Sequence, residues 1–255
     1  FRKNIWNDWP CINDRWWLDC MVKKRIAIIL ARGGSKRLLQ KNILEFGGKP
    51  LIAWSIEAAI NSKQFDKVLV STDDKKIKDI ALSYNAEVPF LRLEASDDFA
   101  TSSMATYAAL SQAEKYWGER YETVAQLMAN CPLRTVNDIK SSILAFDNSN
   151  IPSQLSCFSF GWMNPWWAFK LDKLGNPSPI FPNPNQNRSQ DLPKLYCPSG
   201  ALWIANRDAF LIHKNFYMPG HRFHQLDWIS AMDIDNEADF LMAKACLELN
   251  NSKKK

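Results

Sequence analysis

A basic, glycine-containing turn and a pair of aspartates are the residues of this chain best suited to chemistry. The turn reads Ala31-Arg32-Gly33-Gly34-Ser35-Lys36-Arg37, with Lys41-Asn42 shortly after it. Two adjacent glycines let the backbone approach a ligand closely, and a run of N–H groups then faces an anion. Arg32, Lys36, Arg37 and Lys41 add positive charge, so the turn suits a triphosphate. Near the other end of the chain, Met232-Asp233-Ile234-Asp235 sets two carboxylates two residues apart. On a strand, residues i and i+2 share a face, so Asp233 and Asp235 would stand side by side. Hard oxygen donors of this kind suit Mg2+, which takes one or two carboxylates plus substrate phosphates. The bland alternative is that Asp235 or Asn236 caps the helix that follows.

The turn fits neither of two common phosphate motifs. Gly47-Gly48-Lys49-Pro50 has proline where the P-loop needs Ser or Thr, and no G-x-G-x-x-G is present. What must position the turn is a series of alternating elements. Residues 26–31 form a short, wholly apolar run, as expected for a strand buried on both faces, and the turn follows at its carboxyl end. Residues 51–62 read as a helix opened by Pro50. Residues 67–73 read as a second strand, and Ile77, Ile80, Ala81 and Tyr84 follow the spacing of an amphipathic helix. A helix over 102–116 and a strand over 123–129 come next. Thr135-Val136-Asn137-Asp138 then opens another helix. Strands alternating with helices at this spacing predict a parallel sheet covered on both faces.

Regularity stops between residues 150 and 200, a stretch rich in Pro, Asn and Ser with aromatic clusters at Trp162, Trp166, Trp167 and Phe169. Short strands are expected at 157–160 and 168–172. The stretch reads either as a lobe projecting from the main domain, its aromatics suited to a subunit interface, or as a long loop folded on the core. Regularity returns at 201–205, continues over 229–235, and ends in a helix over 237–249. No internal repeat is visible.

Composition narrows the class. The 255 residues are 46% hydrophobic, enough for one large core, and the net charge of +5 suits anionic ligands without singling out nucleic acid. Six cysteines are scattered without metal-ligand rhythm, and His221 and His224 lack partners at zinc spacing, so reduced thiols in a cytoplasmic setting are expected. No apolar run is long enough to span a membrane. Residues 1–20, with four of the 11 tryptophans, lack an apolar signal segment and read as an extension outside the chemistry. The catalytic domain is expected over 21–250, with 150–200 as an inserted lobe and 251–255 as a basic, solvated tail.

The ordered motifs resemble those of the acylneuraminate cytidylyltransferases. Leu30-Ala31-Arg32-Gly33-Gly34-Ser35-Lys36 followed by Lys41-Asn42 is similar to that family's N-terminal signature. Phe46-Gly47-Gly48-Lys49-Pro50-Leu51-Ile52, Val70-Ser71-Thr72-Asp73-Asp74, Glu87 to Arg92 with Ser96-Asp97, Gln126 to Arg134, and Met232 to Asp235 resemble further family segments in the same order. The sugar half departs. Cys197-Pro198-Ser199-Gly200-Ala201 stands where sialic-acid members often have R-P-N-G-A. Asn130-Cys131 replaces T-S, and Arg188-Ser189-Gln190-Asp191-Leu192 looks more like the pseudaminic-acid type.

The resemblance implies an α/β three-layer sandwich with a mostly parallel central sheet, of the nucleotide-diphospho-sugar-transferase-like kind, plus a small dimerisation lobe. It implies attack by the anomeric hydroxyl of an acidic nine-carbon keto sugar on the α-phosphate of CTP. Arg32, Lys36 and Lys41 would hold the phosphates with the backbone of Ala31 and Gly33 to Ser35. Asn42, Arg92, Ser102 and Ser103 would contact the cytidine, and Gln126 and Arg188 the sugar. Asp233 and Asp235 would hold Mg2+ or Mn2+, with Asp235 a candidate base, in a homodimer that binds neither nucleic acid nor membrane. Alternatives are a cytidylyltransferase for 3-deoxy-octulosonic acid and a catalytically silent binder of nucleotide or sugar.

Overall fold

The computed structural model describes residues 23–92, 101–161, 163–181 and 188–252. The expected extension over 1–20, Ser96-Asp97, Trp162 and the terminal lysines 253–255 lie outside the described residues. In chain order the strands are β1 (Arg25–Leu30), β2 (Glu45–Phe46), β3 (Lys49–Pro50), β4 (Lys67–Ser71), β5 (Thr123–Met128), β6 (Ser153–Ser159), β7 (Phe169–Leu171), β8 (Pro177–Pro179), β9 (Tyr196–Asn206) and β10 (Arg222–Gln225). The helices are α1 (Leu51–Ser62), α2 (Lys75–Ser83), α3 (Ser102–Trp117), α4 (Val136–Asp147), α5 (Arg207–His213) and α6 (Glu237–Ser252).

Six strands form one sheet in the order β10-β6-β9-β5-β1-β4. It is parallel except for β9, which runs antiparallel to both β5 and β6. The strand period of two divides β1 between two cores. Ala27 and Ile29 join Ile52, Ile56, Ile77, Ala81, Ile139 and Ile143, so α1, α2 and α4 cover one face. Ile26, Ile28 and Leu30 join Ala105, Ala109, Leu110 and Phe210, so α3 and α5 cover the other. The result is the expected three-layer sandwich. Each fully buried Ile or Leu of this kind contributes about 1.5–3 kcal/mol through removal of apolar surface from water.

Connectivity fixes where a ligand can bind. The chain leaves β1 and passes through α1 to β4 on one side, then returns over the opposite face through α3 to β5 on the other side. The direction of winding therefore reverses at β1, and a crevice opens at the carboxyl ends of β1 and β5.

Two expectations change. Residues 229–235 are not a strand: Ala231 N–H bonds to Asp227 O (3.0 Å) and Met232 N–H to Ile229 O (3.2 Å), which makes turns up to Met232. The irregular stretch is also narrower than 150–200, because β6 and the first half of β9 belong to the main sheet, paired through Cys157 with Pro198 and Phe158 with Cys197. Pro198, Ser199 and Gly200 look like loop composition but are strand here. The buried Ser199 hydroxyl bonds Ala231 O (2.7 Å), and its carbonyl accepts from Ser156 Oγ (2.7 Å). What remains outside the sheet carries the exposed hairpin β7–β8, with Trp166 against Phe181 (centroids 4.8 Å apart) and bonded to Pro193 O (2.9 Å).

Candidate active site

The crevice contains a cavity of about 370 Å3 whose wall includes Leu30, Ala31, Arg32, Ser35, Lys36, Arg37, Lys41 and Asn42 from the turn after β1. Arg92, Thr101, Ser102, Met128, Asn130, Asp233 and Asp235 also line it. Five cations face two carboxylates among these residues, so the cavity is net cationic and suits a polyanion. Its volume falls in the range usual for small-molecule sites, about 300–1,000 Å3.

Local contacts shape the turn. Asn42, on the one-turn helix Lys41–Ile43, is buried, and its side-chain amide donates to Arg32 O (3.0 Å), tying the end of the turn to its start. The N–H of Gly33 donates to Asp73 Oδ1 (2.9 Å), and that of Ser35 to Gly33 O (2.9 Å). A Cβ on Gly33 would lie 2.6 Å from Asp74 Oδ2 and 2.9 Å from Asp74 Cβ. Asp74 cannot withdraw cheaply, because its other oxygen caps α2 through Lys76 N–H (2.7 Å) and Ile77 N–H (3.0 Å). Glycine at 33 is thus a steric requirement of turn against helix.

The acidic pair is set by Asn130, just past β5. Ile234 N–H donates to Asn130 O (2.9 Å), and Asn130 Nδ2 donates to Ile234 O (3.1 Å) and to Asp235 Oδ1 (3.4 Å). Ile234 is fully buried, so the residues on either side of it, Asp233 and Asp235, line the cavity. Asp235 accepts from Lys41 Nζ (2.8 Å) and Arg37 Nη2 (2.7 Å). The helix-capping alternative holds as well, but for the neighbour: Asn236 Oδ1 accepts from Asp239 N–H (3.0 Å), and Asp239 Oδ2 accepts from Asp235 N–H (2.9 Å) and Asn236 N–H (3.1 Å).

Electrostatics divide the pair. Burial alone would raise the Asp235 carboxyl, but Lys41 and Arg37 outweigh it and hold the group below its ordinary value. Asp233 is pushed up, first by burial and then by the charge of Asp235. Burial also lowers the Arg92 guanidinium, whose Nη1 bonds both Ser71 O and Ser71 Oγ at 3.1 Å. For a cation, the donor set at 233 and 235 consists of hard oxygens. Among the described residues no group of three or more His, Cys, Asp or Glu is placed to hold a metal ion. An ion here would draw its remaining donors from a ligand and water, which is the habit of Mg2+.

The cavity therefore brings together Ala31, Arg32, Ser35, Lys36, Lys41, Asn42, Arg92, Ser102, Asp233 and Asp235. Five expected residues are not on its wall. Gly33 faces Asp74 instead, and Gly34 is exposed. Ser103 is buried, facing Asn215 Oδ1 (3.4 Å). Gln126 is buried at the middle of β5, where its Oε1 accepts from Thr106 Oγ1 (2.8 Å). Arg188 is exposed in the excursion, paired with Asp191 Oδ2 (3.3 Å). Sequence reasoning counted Arg37 only within the charge of the turn and gave Asn130 no contact to the acidic pair. Arg37 was visible as charge in the turn, and Asn130 as a polar residue directly after an apolar strand.

Comparison with known proteins shows the family. The cytidylyltransferase family model matches residues 26–219. The chain belongs to the cytidylyltransferase family. It is 34% identical to the pseudaminic acid cytidylyltransferase of Campylobacter jejuni, in an alignment covering 89% of this chain and 98% of that protein. It is 33% identical to the N-acylneuraminate cytidylyltransferase of Streptococcus agalactiae, over 86% of this chain and 52% of that longer protein. Among solved structures, CMP:2-keto-3-deoxy-manno-octonic acid synthetase complexed with CTP superposes with a TM-score of 0.66 at 16% identity, covering 89% of this chain and 99% of that one. At that identity the likeness speaks for the fold alone. Within the family fold, the matched region holds the whole basic turn, while the acidic pair lies just beyond it.

Proposed function

We propose that this chain transfers CMP from CTP to the anomeric hydroxyl of a nonulosonic acid, an acidic nine-carbon keto sugar, and releases pyrophosphate. The observation that carries the reading is the meeting of Lys41 and Arg37 with Asp235 in one net-cationic cavity at the carboxyl ends of β1 and β5. The sugar class rests on the relatives, which are named for pseudaminic and N-acylneuraminic acids.

Transfer of this kind depends on positioning and charge neutralisation more than on covalent chemistry. Arg32, Lys36 and Lys41 hold the triphosphate against Ala31 and Ser35. Asn42, Arg92 and Ser102 meet the cytidine. Asp233 and Asp235 fit a divalent cation, Mg2+ or Mn2+, which when bound neutralises phosphate charge and lowers the pKa of the attacking hydroxyl. The sugar oxygen bonds to the α-phosphorus as the bond from that phosphorus to the bridging oxygen breaks. Pyrophosphate leaves, and the hydroxyl proton passes to a carboxylate of the pair, with Asp235 the candidate base. Free thiols at Cys131, Cys157, Cys197 and Cys246 suit a reducing, cytoplasmic setting. The exposed apolar residues of the excursion suit a homodimer.

The test is a pyrophosphate assay with CTP, Mg2+ and a panel of sialic, pseudaminic, legionaminic and 3-deoxy-octulosonic acids. Release is expected only with a nonulosonic acid, and Asp235→Asn is expected to slow it at least ~10²-fold, the scale of a lost base or metal contact. CTP binding with no release from any sugar would replace this reading with a silent binder. Release with the octulosonic acid alone would move the substrate to the eight-carbon class.

A further inference from the structure

Arg37 has no role in the mechanism above, yet it is the most exposed of the residues that hold the acidic pair. Both oxygens of Asp235 are taken by cations: Lys41 Nζ on Oδ1 (2.8 Å) and Arg37 Nη2 on Oδ2 (2.7 Å). These are the same oxygens that a divalent ion would need. The acidic pair carries at most two negative charges, which the two side-chain cations already balance, so a further cation arriving there gains no net attraction while both remain. The two side chains differ in freedom. That of Lys41 is 14% exposed and starts from the one-turn helix tied down by Asn42, whereas that of Arg37 is 69% exposed on the open part of the turn. Arg37 also lines the cavity. Of the two, Arg37 is the one that can leave Asp235 without disturbing packed structure, and a guanidinium pairs with phosphate oxygens as readily as with a carboxylate.

We propose that Arg37 is a counter-ion that changes partner: it neutralises Asp235 in the ligand-free protein and moves onto the triphosphate when a divalent cation takes the aspartates. This rests on the cytidylyltransferase reading and extends it to a residue outside the assigned phosphate set. The exchange disfavours cation binding ahead of nucleotide and favours the arrival of the two together, because the nucleotide supplies the new partner for Arg37.

The experiment uses Arg37→Gln in the full chain. Mn2+ binding without nucleotide is followed through the electron paramagnetic resonance of free Mn2+. CTP binding with Mn2+ present is followed by calorimetry. The variant is expected to bind Mn2+ about threefold more tightly, as befits loss of an exposed ion pair, and CTP about tenfold more weakly, as befits loss of one charged hydrogen bond. Simple damage to the turn would weaken both, and that result overturns the proposal. So does Mn2+ affinity that does not change, or CTP affinity that does not fall. A crystal structure of the Mn2+–CTP complex should show the guanidinium on phosphate oxygens, and a retained contact with Asp235 overturns the exchange. Wild-type protein that binds neither Mn2+ nor CTP overturns the cytidylyltransferase reading along with it, whereas normal wild-type binding with an indifferent variant overturns only the role of Arg37.

Discussion

Asp233 and Asp235 are two residues apart and differ in acidity because their surroundings differ. Asp235 stays anionic through two cations, while Asp233 is penalised by burial and by its neighbour. The sign of the consequence follows from linkage. The raised carboxyl of folded Asp233 binds its proton more firmly than the unfolded chain does. Ionising it therefore costs stability above that value, and the stability returns as pH falls through it. Asp233→Asn should melt higher than wild type at pH 7 while losing turnover. The gap in melting temperature should narrow as pH falls into the carboxylate range. Thermal scans of both proteins across pH 4–7 check this, and a gap that ignores pH rejects the assignment. On the proposed reading the protein holds function at the expense of stability, as sites with paired like charges do.

At the scale of elements, the turn after β1 is held by its contact with the start of α2. Gly33→Ala would push a methyl into Asp74, which is fixed by its capping bonds. The turn should shift, with a roughly tenfold or larger rise in the CTP concentration needed for half-maximal rate, as displacement of a positioning element can cost up to ~10²-fold. Steady-state kinetics with varied CTP would reveal it, and unchanged kinetics would mean that the turn tolerates the shift. Elements with a clear period were legible in the sequence. The run 26–31 corresponds to β1, 51–62 coincides with α1, and 67–73 contains β4, because buried parallel strands and amphipathic helices carry strong patterns. The acidic segment was legible as chemistry but not as structure. Its shape comes from Asn130, a contact more than a hundred residues away that no local pattern announces. Pro198 to Gly200 misled because their strand state depends on hydroxyl bonds from Ser156 and Ser199 rather than on propensity. Gln126 and Arg188 matched motif positions, but motif order carries no information on which side chains reach the cavity.

At the scale of the whole molecule, the excursion outside the main sheet presents an exposed apolar surface among the described residues. Leu171 and Leu174 on the β7–β8 hairpin are 68% and 88% exposed, beside exposed Met163, Trp167, Phe169 and Ile180. A patch of this kind suits the interface of the proposed homodimer. On that proposal the wild type should sediment as a dimer in analytical ultracentrifugation, and the double substitution Leu171→Asp and Leu174→Asp should convert it to a monomer without lowering the melting temperature of the main sheet. A variant that sediments like wild type would remove the hairpin from the interface.

The partners Arg37 and Asp235 are separated by 198 positions, and Lys41 and Asp235 by 194. A ribosome adding about 5–20 residues per second completes the first strand and its turn well before the aspartates are made. Until then the growing chain displays an arginine- and lysine-rich tip from which the Asp235 carboxylate is missing. A protease that clips the final helix together with the few residues before it returns the protein to that condition. The proposed site is therefore complete only once residue 235 has been made, and loss of that segment would dismantle it.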